Sequence, residues 1–133
     1  TPMQWDDSAN AGFTTGTPWL PANENYHEIN AAREEKDADS VLSYYRQIIR
    51  LRKTNSVLLN GVYVELLEDN EQIYAFSRTE GTRRIVTAVN FSTEEAALPE
   101  GFLKGVRLIG SYADAPKTAL RPLEAVVYEE EVR

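Results

Sequence analysis

The sequence predicts a mainly β chain: an antiparallel β-sandwich preceded by one amphipathic helix and an extended N-terminal segment. Three observations predict it. Residues 1–36 follow neither a helical nor a strand period. Residues 38–54 place apolar side chains at i, i+3, i+4 and i+7 spacings. From Val62 onward, short β-type runs alternate with turn clusters, and no helical pattern lies between them.

The first segment is rich in Thr, Asn, Gly, Pro and Ala, with Trp5, Phe13, Trp19 and Tyr26 spaced through it. Thr17 and Leu20 each precede a proline, which biases them to extended backbone. Such a stretch is too long for an idle connection in a compact domain. It reads as a functional loop or as a segment that lies on a partner surface. Four aromatics left in water would be a liability, and they favour the partner surface.

In the helix, Asp37 or Asp39 offers an N-cap. Val41, Leu42, Tyr44, Tyr45, Ile48, Ile49 and Leu51 cover about half of its circumference, with Ser43, Arg46, Gln47, Arg50 and Lys53 opposite. An apolar arc that broad predicts burial against more than one element. Arg50, Arg52 and Lys53 suit the negative end of the helix dipole. Arg52 falls within the apolar face and has two readings. Its stem lies on the core while its head reaches last-turn carbonyls or a carboxylate, or it forms a buried pair with a carboxylate on a neighbouring domain. Asn55 and Gly61 give turn or stop signals.

The β runs follow in order. Val62–Leu67 ends at the turn cluster Glu68-Asp69-Asn70-Glu71. Gln72–Arg78 alternates polar and apolar, and Glu80-Gly81 makes the next turn. Arg84–Phe91 is nearly continuous in apolar residues, as a central strand would be. Glu94–Leu98 is a short, weaker strand closed by Pro99-Glu100-Gly101. Val106–Tyr112 and Glu124–Glu129 complete the set.

The chain has 133 residues, enough for one domain with a modest core or a smaller domain plus an extension. Its net charge of −7 argues against a nucleic-acid partner and against docking on an anionic membrane. There is no Cys, hence no disulfide framework and no thiolate metal site, which fits the reducing cytoplasm. No apolar run approaches the ~20 residues of a membrane span. The chain opens on Thr1, and its one methionine is Met3, so a cut from a longer chain is expected.

The opening run Thr1-Pro2-Met3-Gln4-Trp5-Asp6-Asp7-Ser8-Ala9-Asn10-Ala11-Gly12-Phe13 resembles a signature loop of the α-amylase family of glycoside hydrolases (family 13), in its α-glucosidase and oligo-1,6-glucosidase branch. Asn25-Tyr26-His27-Glu28-Ile29-Asn30 resembles the family's Asn-Tyr-x-x-Ile-Asn stretch. Ser43–Lys53, ending Leu51-Arg52-Lys53, is similar to the last barrel helix. Asn90-Phe91-Ser92 resembles a turn of the family's C-terminal β-domain, and Leu120–Tyr128 its closing strand, although the family more often has an aromatic where Leu123 stands. The resemblance implies that residues 1–56 are the remnant of a catalytic (β/α)8 barrel, its last loop and last helix. Residues 57–133 would be the C-terminal all-β domain. The loop aromatics and the helix face would then rest on a barrel absent from this sequence.

Retaining glycoside hydrolysis needs two carboxyl groups about 5–5.5 Å apart. In the family the nucleophilic Asp, the acid Glu and a stabilising Asp precede the opening loop, as does an arginine expected just before Thr1. No catalytic, substrate-binding or metal-ligating residue is therefore assigned here, and no cofactor is expected. Asp6-Asp7, Glu24 and Glu28 read as solvated or capping acids, and Glu34-Glu35, Glu94-Glu95 and Glu129-Glu130-Glu131 as solvated surface. His27, the single histidine, lacks a partner at a diagnostic spacing. Trp5 and Trp19 are either sugar platforms or plugs anchoring the loop; Met3 and Phe13 read as packing residues.

The expected function is that of the C-terminal part of a retaining α-glucosidase, like oligo-1,6-glucosidase, acting on short α-linked gluco-oligosaccharides. The segment itself is expected to be structural and inactive. Two alternatives stay open: a carbohydrate-binding β-module using exposed strand tyrosines such as Tyr63, Tyr74 or Tyr112, and a protein-interaction module.

Overall fold

A computed structural model describes residues 1–116 and 118–132. The chain forms two compact units, Thr1–Leu51 and Arg52–Arg133.

The first unit is irregular for most of its length. A left-handed turn occurs at Ala9–Gly12, a single turn of 3-10 helix at Glu24–His27, and a four-residue helix α1 at Ala31–Glu34. These short turns escape a periodicity search because none repeats. Asparagines set two of them: Asn23 accepts from the Asn25 N–H, and Asn30 caps α1 by accepting from the Arg33 N–H. Helix α2, Val41–Thr54, starts at the first residue of the apolar pattern rather than at residue 38. Neither Asp37 nor Asp39 caps its first turn. Ser40 Oγ accepts from the Ser43 N–H at 3.1 Å, and the Glu34 carboxylate accepts from the Leu42 N–H at 2.9 Å. Asp37 instead accepts from the Asp39 N–H.

Asn55 and Gly61 bound a helix the pattern did not reveal: α3, Ser56–Asn60, with Asn55 accepting from the Val57 N–H. A five-residue helix is too short to display a period. The Arg52 guanidinium turns to the next helix: its Nη1 donates to the Leu58 carbonyl of α3 at 2.9 Å. Gly61 is required there, because a Cβ would stand 2.4 Å from the Val57 carbonyl oxygen.

Among the described residues seven strands follow: β1 Val62–Leu66, β2 Ile73–Glu80, β3 Arg83–Asn90, β4 Ala96–Ala97, β5 Val106–Gly110, β6 Ala119–Leu120 and β7 Ala125–Glu131. All pairings are antiparallel, in a five-stranded sheet ordered β1-β2-β3-β7-β5 and a two-stranded sheet of β4 and β6. β3 is interior, as its apolar run predicted. The two-residue loop Gly81-Thr82 joins Glu80 to Arg83, with Gly81 at φ 59. The core lies between the sheets: Ile73, Ala75, Ala88, Val126 and Tyr128 from the larger one meet Ala96 and Leu120 from the smaller. This is an antiparallel β-sandwich, as the sequence predicts.

One side chain ties its end together. Asn90 is fully buried, and its amide nitrogen donates to the carbonyls of Glu94, Leu120 and Arg121 at 2.7, 3.2 and 3.0 Å. Its Oδ1 accepts from the Ser92 N–H and hydroxyl. The Asn90-Phe91-Ser92 turn thus binds the end of β3 to β6 and to the segment that leads into β4.

Candidate functional site

The opening loop is closed by its own backbone. The Ala31 N–H donates to the Gln4 carbonyl at 3.0 Å and Ala32 to Trp5 at 2.9 Å. Trp5 in turn donates to the Ala11 carbonyl at 2.9 Å. The Gln4 side chain bridges to Asn25 Oδ1 and the Ile29 carbonyl. The buried Asn30 donates to the Tyr26 carbonyl at 2.8 Å. The two family-like stretches, Thr1–Phe13 and Asn25–Asn30, are therefore one hydrogen-bonded frame.

Within it the chain turns through three left-handed residues, Asn10 at φ 55, Ala11 at φ 58 and Gly12 at φ 65. Ala11 is the strained one, since a Cβ disfavours this region. Asn10 offsets its own cost by donating from Nδ2 to the Thr14 and Gly16 carbonyls. Gly12 suits this conformation without a Cβ, and a Cβ there would stand 2.7 Å from the Asp6 carboxyl atoms and displace them.

Asp6 shapes this turn. Its carboxylate accepts from the Ser8 N–H at 2.9 Å and from the Ser8 hydroxyl. The Ser8 hydroxyl bond, then its N–H bond, holds the Asp6 carboxyl below the usual carboxylate range. A carboxyl so engaged favours its charged form and is a poor proton donor. His27 packs on Tyr26 with ring centres 3.9 Å apart, and its carbonyl accepts from Arg33. Among the described residues, no three His, Cys, Asp or Glu side chains gather as a metal would require.

The loop aromatics point outward. Trp5 is 53% exposed and Trp19 93%, with Met3 and Phe13 half exposed. A recess of about 470 Å³ is lined by Pro2, Phe13, Thr14, Pro18, Trp19 and Leu20 among others. Helix α2 buries no residue fully, and Val41, Tyr45, Ile48 and Ile49 of its apolar arc are exposed.

The β unit carries two further constellations. Arg121 donates to both oxygens of Glu124, at 3.0 and 2.6 Å, and to Asp114 at 2.7 Å. Glu124 is fully buried. Burial works to raise its pKa, but the hydrogen bonds and charge of Arg121 prevail and hold it below the ordinary value. Tyr112 lies under the Arg121 guanidinium at 4.0 Å, and its hydroxyl donates to the Pro122 carbonyl, so this tyrosine is committed to packing. The opposite charges of Arg121 and Glu124 at i, i+3 were the sequence signal for this staple. Tyr63 and Tyr74 differ from Tyr112: both are exposed, and their hydroxyls bond to each other at 2.8 Å.

Known proteins share this plan. Residues 1–61 match the family model described as the α-amylase catalytic domain. An oligo-1,6-glucosidase from Parageobacillus thermoglucosidasius is 43% identical over 97% of this chain and 25% of its own length. Trehalulose synthase from Pseudomonas mesoacidophila superposes with a TM-score of 0.86 at 42% identity, over 97% of this chain and 25% of that one. Trehalose-6-phosphate hydrolase from Bacillus licheniformis gives 0.89 at 33% identity, over 100% and 26%. The chain thus spans about a quarter of the length of the relatives it matches. The similarity runs along nearly the whole sequence, and the chain belongs to the α-amylase family of glycoside hydrolases, as a C-terminal part of its α-glucosidase branch.

Proposed function

We propose that this chain serves a retaining α-glucosidase that acts on short α-linked gluco-oligosaccharides through a covalent glycosyl-enzyme intermediate. In this reading residues 1–56 complete a catalytic (β/α)8 barrel and residues 57–133 form the all-β domain beside it. The chain's own role is structural. Its acids shape turns, cap a helix, pair with arginines or face solvent, and the catalytic carboxyl pair belongs to the barrel. No cofactor or metal is called for, and the working compartment is the cytoplasm, where a chain without Cys forgoes no disulfides.

The observation that carries the reading is the exposed apolar arc of α2, Val41, Tyr45, Ile48 and Ile49, within the stretch that matches the α-amylase catalytic domain. An arc of this kind is a surface made to be covered. Among the described residues no helix is long and apolar enough to cross a membrane, so a bilayer-spanning role does not explain it. The test is complementation. This chain is co-expressed with an oligo-1,6-glucosidase lacking the matching quarter, and hydrolysis of a chromogenic α-glucoside is followed. Activity is expected from the pair and from neither part alone, and Ile49→Glu should abolish it. Turnover by the purified chain alone, or a pair that neither associates nor reacts, would refute the reading.

A further inference from the structure

The β1–β2 hairpin carries a feature that the reading above leaves unused. Tyr63 pairs with Arg78 and Glu65 with Phe76, so Tyr63, Glu65, Tyr74, Phe76 and Arg78 share one face of the sheet. The alternate residues of β2, Ile73, Ala75 and Ser77, are buried on the other face. Tyr63 is 44% exposed and Tyr74 41%. Their ring centres lie 5.4 and 5.8 Å from that of Phe76, so the three rings make one continuous apolar surface.

The polar groups around the rings are placed for a ligand rather than for the core. The two tyrosine hydroxyls have two protons between them. One serves their mutual hydrogen bond, and the other is left to donate outward. Glu65, on the same face, makes no hydrogen bond or ion pair among the described residues, so its oxygens remain open acceptors. The Arg78 guanidinium lies 6.0 Å from the Tyr63 ring centre and donates to the Gly61 carbonyl, leaving further N–H groups at that rim. Beside Tyr74 is a recess of about 130 Å³, also lined by Asn70, Gln72 and Phe91.

A pyranose ring presents an apolar C–H face and a rim of hydroxyls, each both donor and acceptor. Flat rings bordered by hydroxyl, carboxylate, guanidinium and amide groups match both aspects. We infer that the outer face of the β1–β2 hairpin is a binding platform for a pyranose oligosaccharide, with Tyr74 as the stacking ring and Tyr63, Glu65 and Arg78 as its polar rim. That the sugar is an α-linked gluco-oligosaccharide rests on the proposed function; the platform itself does not.

The test is titration of isomaltotriose, and separately of cellotriose, into the full chain, followed by NMR shifts of aromatic side chains. Isomaltotriose is expected to shift Tyr63, Tyr74 and Phe76 in a saturable manner. Tyr74→Ala should weaken binding about tenfold and Tyr63→Phe about threefold. Backbone amide spectra unchanged outside the hairpin will show that both variants keep the fold. Saturation by neither sugar, or binding unaffected by Tyr74→Ala, would overturn the platform. Binding of cellotriose alone would uphold the platform and overturn its α-gluco assignment. Complementation reads the proposed function by a route independent of either sugar.

Discussion

In the β unit the fully buried side chains include Val57, Ile85, Leu120 and Val126, whereas the N-terminal unit's one buried hydrophobic residue among those described is Ala11. The remaining buried residues of the N-terminal unit are polar, Asn30 and Ser40, and both are occupied with backbone groups. One unit is thus held by apolar burial and the other by a frame of hydrogen bonds with its large apolar side chains turned to solvent. Because a net hydrogen bond contributes only about 1 kcal/mol, the frame fixes shape more than it supplies stability. The difference separates a part that carries its own core from a part shaped to lie on something else.

The largest expected effect tests that difference directly. Leu120→Ala removes a fully buried side chain from the contact between the two sheets. It should cost about 2–5 kcal/mol of unfolding free energy in a denaturant titration. Ile49→Ala in the exposed arc of α2 should change the same quantity by less than about 0.5 kcal/mol. Equal losses at the two positions would mean that α2 is already covered, and the contrast would fail.

The same contrast decides what could be read from the sequence. The strands were legible because burial on one face imposes alternation: Ile73, Ala75 and Ser77 point inward while Tyr74, Phe76 and Arg78 point outward. Their ends shifted by a residue or two, and β6, Ala119–Leu120, was not foreseen because two residues are too few to alternate. Helix α3 and the turns of the opening loop are too short to carry a period. They are set instead by single asparagines and by Gly12 and Gly61, whose roles depend on neighbours beyond the local pattern, such as Thr79 beside Gly61. Arg52 was legible as an exception but not in its partner, because the Leu58 carbonyl belongs to the helix that was not foreseen. At the candidate site, the loop's outward aromatics were anticipated, while the separation of Tyr112 from Tyr63 and Tyr74 was not. All three sit in strand-like sequence, and only pairing reveals that Tyr112 lies under Arg121.

A second, smaller effect sharpens the account of how the β unit tolerates a buried charge. Arg121→Gln removes the cation that satisfies Glu124 and leaves a buried carboxylate without its main partner. Because the folded pKa of Glu124 is depressed, its contribution is present above the unfolded value of about 4.3 and is lost as pH falls through the folded value. The variant should therefore be less stable than the parent chain at pH 7, by less than Leu120→Ala, and the gap should narrow in acid. Denaturation midpoints measured across this range will show it. A gap that stays constant or widens in acid would mean that Glu124 is not held charged by Arg121.

The smallest effect concerns the exposed tyrosine pair and probes a bond that adds little to stability. The hydrogen bond to Tyr74, then desolvation and the neighbouring charges, pushes the Tyr63 hydroxyl up to about 12. A folded pKa raised above the unfolded value of about 10 means that the bond's contribution is complete below pH 10 and is lost as pH rises through about 12. Tyrosinate absorbance should therefore include one group ionising late, and Tyr74→Phe should return it toward the ordinary range while hardly changing unfolding at neutral pH. The late ionisation should also be absent from the unfolded chain, since it depends on the antiparallel pairing of β1 with β2 rather than on the local sequence. If it survives Tyr74→Phe, the hydroxyls are not paired, and each would present its own donor to solvent. If it disappears as expected, the two hydroxyls act as one polar edge, set on a sheet whose opposite face supplies the core.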